Sequence, residues 1–297
     1  MSVGVLAMAY GTPRDRADIA AYYTDIRRGA PPPGDLLAAL VARYDAIGGT
    51  FPLRAATEAQ CAALQAELDR RRPAGFRVSL GCKHSDPRVE DGVAGLAAAG
   101  VDRMVGVVLA PHYSAYSVGQ YADRAAAAAR MHGLDVTTIP SWHLLPAYLD
   151  FLAAAVREAL AGLPPGAEVV FTAHSLPARI ADSGDLYPGQ LAETAAAVAE
   201  RAGLASWSVG WQSAGRTAEA WLGPDILAVV RDRAVQGAPG LLTCPCGFVS
   251  DHLEVAYDLD IEAAGLAAEL GLPFARTHTV GTDPGVIAGL ADLVLAR

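Results

Sequence analysis

Short apolar runs alternate along this chain with longer, Ala-rich stretches of helical period, and that alternation admits few folds. Strand-like runs separated by amphipathic helices are the pattern of βαβ units, whose strands lie parallel beneath helices. The runs predict strands at Val3–Ala9, Phe76–Gly81, Met104–Ala110 and Leu134–Thr138, then at Glu168–Ala173, Ser206–Gly210, Leu241–Pro245 and near Phe274–Thr277. Helices are expected at Pro52–Arg71, Val118–His132, Pro146–Ala161 and Leu191–Ala202. Asp251 is placed to cap one more, running to about Leu270.

The two series of strands read as two similar α/β halves joined near Ile139–Pro146, each a Rossmann-like parallel sheet flanked by helices. We therefore expect an N-terminal domain over 1–140 and a C-terminal domain over 141–283, with the last helix, 284–297, packing back on the first half. A length of 297 residues suits two cores better than one. Ligands of open α/β sheets bind at the carboxyl ends of the strands, so a crevice there is where chemistry is expected.

Charge and cysteine usage narrow the function classes. Lys and Arg total 23 against 32 Asp and Glu, a net charge of −9, and this argues against nucleic acid as a partner. No run approaches the ~20 apolar residues of a membrane span. The start, MSVGVLAMAYG, has no basic segment ahead of its apolar stretch and reads as a buried strand rather than a secretory signal. Cys61, Cys82, Cys244 and Cys246 are too few and scattered for a disulfide framework, which points to the cytoplasm.

Polar groups cluster just past the predicted strands: Tyr10 after the first, Lys83 and His84 after the second, His112 after the third, His174 and Ser175 after the fifth. The sharper signal is Glu254, Asp258 and Glu262, spaced by four. On one helix these carboxylates share a face, where like charges cost a few tenths of a kcal/mol per pair, roughly. Two readings of that cost stand. One is a solvated acidic face near a helix N-terminus; the other is a row of oxygen ligands that holds or delivers a divalent cation. With His174, the row makes a metal-handling enzyme the functional expectation.

Two weaker patterns carry less. Gly210-Trp-Gln-Ser-Ala-Gly215-Arg216-Thr217 resembles a P-loop but has Arg in place of the phosphate-cradling Lys. Cys244-Pro-Cys246 is half of a soft-metal site, and Cys61 and Cys82 read as small buried hydrophobes.

Taken as strings, these segments resemble the ferrochelatases along almost the whole chain. The matching segments include Met8-Ala-Tyr-Gly-Thr-Pro13, Tyr22-Tyr-Thr-Asp-Ile-Arg-Arg-Gly29, Arg43-Tyr-Asp-Ala-Ile-Gly-Gly49 and Leu109-Ala-Pro-His-Tyr-Ser114. His174-Ser-Leu-Pro177, Val209-Gly-Trp-Gln-Ser213, Trp221-Leu-Gly-Pro224 and Gly247-Phe-Val-Ser-Asp-His-Leu-Glu254 follow in order. The second and third of these look like substrate-side loops. The resemblance implies two Rossmann-like domains around a porphyrin site and insertion of Fe²⁺ into a tetrapyrrole, most like the short coproporphyrin III enzymes of Gram-positive bacteria. A protoporphyrin IX enzyme, another divalent-metal chelatase, and a porphyrin- or haem-binding carrier are the alternatives.

The resemblance also implies roles. His174 and Glu254 are expected at the catalytic centre and as metal contacts, with Asp258 and Glu262 as the acidic row behind. His84 matches an outer metal site and Tyr10 a residue close to the product iron. Arg27, Arg28 and Arg43 match basic residues at the substrate edge. No prosthetic group and no iron–sulfur cluster are expected; the partners are the porphyrin and Fe²⁺, and the chain is expected to be a monomer. One departure is Phe51, in Gly48-Gly-Thr-Phe-Pro-Leu53, where the family commonly has Ser.

Overall fold

The computed structural model describes residues 2–215 and 217–297 and divides into two compact units. The first comprises Met1–Trp142 with Gly281–Arg297, the second His143–Val280.

In the first unit the elements run β1 (Val3–Ala9), α1 (Ile19–Ile26), α2 (Gly34–Ala46), α3 (Pro52–Arg71), β2 (Phe76–Cys82), α4 (Val89–Ala98), β3 (Arg103–Val108), α5 (Val118–Met131) and β4 (Asp135–Ile139). The four strands are parallel in the order β2-β1-β3-β4. Every residue of β1 is buried, as expected for a central strand covered on both faces, whereas edge strand β4 is half open. One face carries α4 and α5, whose Val89, Val93, Leu96, Val118, Tyr121 and Ala125 pack on Leu6, Met8 and Met104. The other carries α3 and the C-terminal helix, Pro284–Leu295. Arg71 of α3 binds this helix through the Ala288 carbonyl and the Asp292 carboxylate.

The second unit repeats the plan with α6 (Pro146–Leu160), β5 (Glu168–His174), α7 (Arg179–Asp182), α8 (Tyr187–Ala202), β6 (Trp207–Gln212), α9 (Ile226–Val235), β7 (Leu241–Cys244), α10 (Leu253–Ala256), α11 (Ala264–Glu269) and β8 (Phe274–Arg276). Its strand order, β6-β5-β7-β8, is the same in kind. In each unit the chain steps from the first strand to one side and later to the other. The reversal lies beside the first strand and the third, the position where such sheets bind ligands. That places the ends of β1 and β3, and of β5 and β7, at the two switch points.

Three expectations are corrected. The substrate-side loops are largely helical: Tyr22–Ile26 lies in α1 and Arg43–Ala46 in α2. His174 is the last residue of β5 and does not follow it. Most informative is the helix expected from Asp251 to Leu270, which is α-helical only at α10 and α11 and π-helical between, at Asp258–Ala263.

The reason for the π turn is written in the spacing. Val255, Leu259, Ala263 and Ala267 recur every four residues and all are fully buried against α9 and the sheet. At about 100° per residue, a strict repeat of four drifts ~40° per step around an α-helix. A wider i→i+5 turn takes up one extra residue and recovers that drift; the Glu262 N–H bonds the Tyr257 carbonyl in this way at 2.9 Å.

Candidate functional site

His174 ends β5 at the switch point of the second unit. Its Nδ1 lies 2.5 Å from the Ser175 carbonyl oxygen. A carbonyl can only accept, so Nδ1 carries the hydrogen, and Nε2 is the atom left for chemistry. Nε2 lies 3.5 Å from Oε1 of Glu254, on α10. Ser175 is itself held by its N–H to the Gln212 carbonyl at 2.7 Å and its hydroxyl to the Leu222 carbonyl at 2.8 Å. The Tyr187 hydroxyl donates to the His174 carbonyl at 3.1 Å.

Glu254 has a second imidazole, which the sequence reading passed over. His252 Nε2 lies 3.3 Å from Glu254 Oε2, and its Nδ1 donates to the Ser250 carbonyl at 3.1 Å. Both histidines therefore show the same tautomeric logic, Nδ1–H to backbone and Nε2 toward one carboxylate. Its signal was visible as the His two places before Glu254, but two residues apart on a regular helix do not face each other. His252 meets Glu254 because it sits in extended backbone just before α10, with φ −158° and ψ −176°.

The electrostatics follow. Burial favours a neutral imidazole at position 174. The charge and hydrogen bond of Glu254, the Ser175 carbonyl and the Asp258 charge outweigh that and raise its pKa to about 9. Burial likewise disfavours ionised Glu254, yet His174 and then His252 hold its carboxyl well below the usual carboxylate range. At neutral pH the pair is thus an imidazolium beside a carboxylate, with about a third of each side chain exposed (34% and 31%). A divalent cation reaching Glu254 would replace that proton's charge and free Nε2 as a base or ligand.

The π turn bears on the rest of the acidic row. Over eight α-helical residues Glu262 would sit ~80° around from Glu254; recovering one ~100° step brings it back to within ~20°. The carboxylates are therefore better aligned than a regular helix would allow. Asp258 is 4% exposed and its Oδ2 accepts a hydrogen bond from the Ser213 hydroxyl. Ser213 adopts φ +61°, the left-handed region, immediately after β6. Among the described residues no three His, Cys, Asp or Glu side chains form a ready-made metal cage. His174 and Glu254 supply one nitrogen and one carboxylate, fewer than the donors of a closed structural metal site.

His84 and Tyr10 lie together in the first unit, their rings 4.6 Å apart. His84 Nδ1 is 2.7 Å from Asp25 Oδ2, which Arg88 also binds at 3.0 Å. Burial lowers the His84 pKa against the pull of Asp25. Lys83 next to it donates to Gln120 Oε1 at 2.6 Å, and burial, with Arg124 and Arg28, lowers its pKa to about 8. Tyr10 is 41% exposed. Arg27 and Arg28 are exposed at the end of α1, Arg28 with φ +58°, while Arg43 is half-buried on α2. A cavity of ≈ 140 Å³ beside His84 is lined by Thr12, Arg14, Tyr22, Asp86 and Arg88 among others.

Other sequence patterns find ordinary roles. Phe51 stacks on Tyr44 at 4.6 Å between ring centroids. Cys244 and Cys246 are fully buried, and the Cys246 thiol, whose pKa burial raises, lies 3.7 Å from the Thr172 carbonyl. Arg216 of the P-loop-like stretch lies outside the described residues.

Known proteins resemble this chain over its whole length. The family model described as ferrochelatase matches residues 2–297. The coproporphyrin III ferrochelatase of Geobacillus kaustophilus is 43% identical over 303 residues, covering 100% of this chain and 96% of that protein. That of Bacillus subtilis is 40% identical over 302 residues, covering 99% and 97%. Among solved structures, CbiX, the terminal enzyme of siroheme biosynthesis in denitrifying bacteria, aligns with TM-score 0.58 at 18% identity over 99% of each chain. SirB from Bacillus subtilis, solved with Fe³⁺, aligns with TM-score 0.57 at 12% identity, covering 98% of this chain and 94% of that one. These two show the shared two-unit chelatase fold.

Proposed function

The chain belongs to the ferrochelatase family, and we propose that it is a lyase of haem biosynthesis that inserts Fe²⁺ into coproporphyrin III to give coproheme. The observation that carries the chemistry is the His174–Glu254 pair at the switch point of the second sheet. Insertion exchanges two pyrrole protons for one Fe²⁺, so the site must hold a dication briefly and take up protons in turn.

In this reading Glu254, kept ionised, meets the metal, and the arrival of positive charge lowers the pKa of His174. Its Nε2 proton passes to solvent water, and Nε2 then takes the pyrrole protons one at a time, handing the first to water before accepting the second as the metal goes in. His252, on the other carboxylate oxygen, offers a second place for a proton. Asp258 and Glu262 extend the acidic row along the helix and lead the cation inward. Tyr10 contacts the substrate near the metal, and Arg27, Arg28 and Arg43 bind its propionates, for which the planar guanidinium fork is suited. His84 serves an outer divalent site through Nε2, since Nδ1 is engaged by Asp25. Coproporphyrin carries four propionates against two in protoporphyrin, so more of them are available to these three arginines.

The enzyme uses no prosthetic group or iron–sulfur cluster in this reading, and works as a cytoplasmic monomer; no described helix is long and apolar enough to cross a membrane. Anaerobic Fe²⁺ insertion, with coproporphyrin III and protoporphyrin IX side by side, tests the proposal. Faster turnover of coproporphyrin is expected. Turnover of protoporphyrin alone would reassign the substrate, and binding without turnover of either would make the chain a carrier.

A further inference from the structure

Gln212 is the last residue of β6, stands in register with His174 on β5, and is 0% exposed. A buried amide must satisfy both ends or lose stability. Its Oε1 accepts the Thr172 hydroxyl at 3.0 Å and its Nε2 donates to the Glu254 carbonyl at 2.8 Å. Its backbone carbonyl takes the Ser175 N–H at 2.7 Å, and the Ser175 carbonyl in turn receives Nδ1–H of His174. One residue is therefore bonded to the backbone of Glu254 and, through Ser175, to the ring of His174.

We infer that Gln212 is a positioning residue that sets the His174–Glu254 separation and, through it, the rate of metal insertion; the inference rests on the ferrochelatase reading above. The need for such a brace follows from the local backbone. His174 rides on a strand held by ladders on both sides, to β6 and β7. Glu254 sits on α10, which is only four residues long. A single helical turn is marginal by itself, and this one leads into a π segment where the α ladder is interrupted. A bond to the Glu254 carbonyl fixes that residue's own backbone, close to the Cα from which its side chain reaches Nε2. Displacement of a catalytic group by about 1 Å can cost ~100-fold in rate.

The test uses Gln212→Met, which keeps length and apolar bulk but loses both side-chain bonds, and Thr172→Val, which removes only the hydroxyl that orients the amide. Turnover with coproporphyrin III and Fe²⁺ is measured beside a Co²⁺ titration of the porphyrin-free protein, read by its visible absorption bands. We expect Gln212→Met to lower kcat by ~10- to 100-fold with the porphyrin KM within twofold, and to weaken Co²⁺ binding while changing its spectrum. Thr172→Val should move the same readouts less. Folded variants with kcat and Co²⁺ spectrum within twofold of wild type would overturn the inference, because a residue that only satisfies buried polar groups alters stability alone. Should Gln212→Met fail to fold, Thr172→Val decides by the same criteria. Should the wild type itself insert no iron, the functional reading falls, and the Co²⁺ titration still decides whether Gln212 braces the pair.

Discussion

Nε2 of His174 stands 3.5 Å from Oε1 of Glu254, and each imidazole beside that carboxylate, His174 and His252, is turned toward it by an Nδ1–H bond to a backbone carbonyl. The orientation of both rings is therefore set by the main chain and does not depend on a bound metal. If this pair is the site of metal insertion, as proposed, such backbone anchoring would lower the reorganisation cost of catalysis.

His174→Ala should reduce Fe²⁺ insertion at least 100-fold while leaving the fold intact, because general-base contributions are typically 10²–10⁴-fold. Steady-state insertion rates with far-ultraviolet circular dichroism check this. Retained activity would remove His174 from the mechanism.

The pair should make stability pH-dependent in a defined window. His174 has its folded pKa raised to about 9 from an ordinary value near ~6.5, so its contribution is complete below ~6.5 and fades as pH rises through 9. Glu254 is depressed, so its contribution is present above ~4.3 and is lost only as pH falls through the lowered value. Both are whole between ~4.3 and ~6.5. The stability difference between wild type and Glu254→Gln, from urea unfolding, should be largest near pH 6 and smaller at pH 9.5. A difference that grew with pH would reverse the assignment.

Ser213 combines a left-handed backbone with a hydroxyl bound to buried Asp258. Ser213→Ala keeps the strain and loses the bond, and should cost about 1–3 kcal/mol. Ser213→Gly loses the bond but relieves roughly 1 kcal/mol of strain. Melting temperatures should fall in the order wild type, Gly, Ala; Gly below Ala would show that the backbone strain is not relieved.

Gly247 lets the chain after β7 cross β5 closely. A Cβ there would lie 2.4 Å from the Ala173 Cβ and 2.7 Å from its Cα, so the backbone itself must shift. Gly247→Ala should destabilise by about 1–3 kcal/mol. It should also lower kcat, since the displaced segment carries His252 and Glu254. Thermal denaturation and turnover together check this, and an unchanged pair of values would refute it.

Arg43→Ala should raise the KM for coproporphyrin about tenfold, the effect of losing ~1.5 kcal/mol from a charged hydrogen bond, with little change in kcat. The same substitution should matter less for a porphyrin with fewer propionates. Equal effects on both substrates would place Arg43 away from the propionates.

Much of this molecule was legible in the chain order of its residues. The alternation of apolar runs and Ala-rich helical stretches sufficed for two doubly wound halves, because strands buried on both faces leave a mark that needs no tertiary context. Carboxylates spaced by four and a histidine near a strand end singled out His174 and Glu254, which the fold brings to 3.5 Å of each other. Even the π segment had a sequence signal, in the strict repeat of four from Val255 to Ala267, which a regular α-helix cannot keep on one face. What the tertiary structure alone decided were the relations between distant segments. His252 and His174 share Glu254, Gln212 bridges Thr172 and Glu254, and Gly247 passes against Ala173. Periodicity reports which face of an element is buried, a local property. Which atoms meet across that face depends on strand order, on the tautomer each carbonyl imposes, and on where one extra residue is absorbed in a helix.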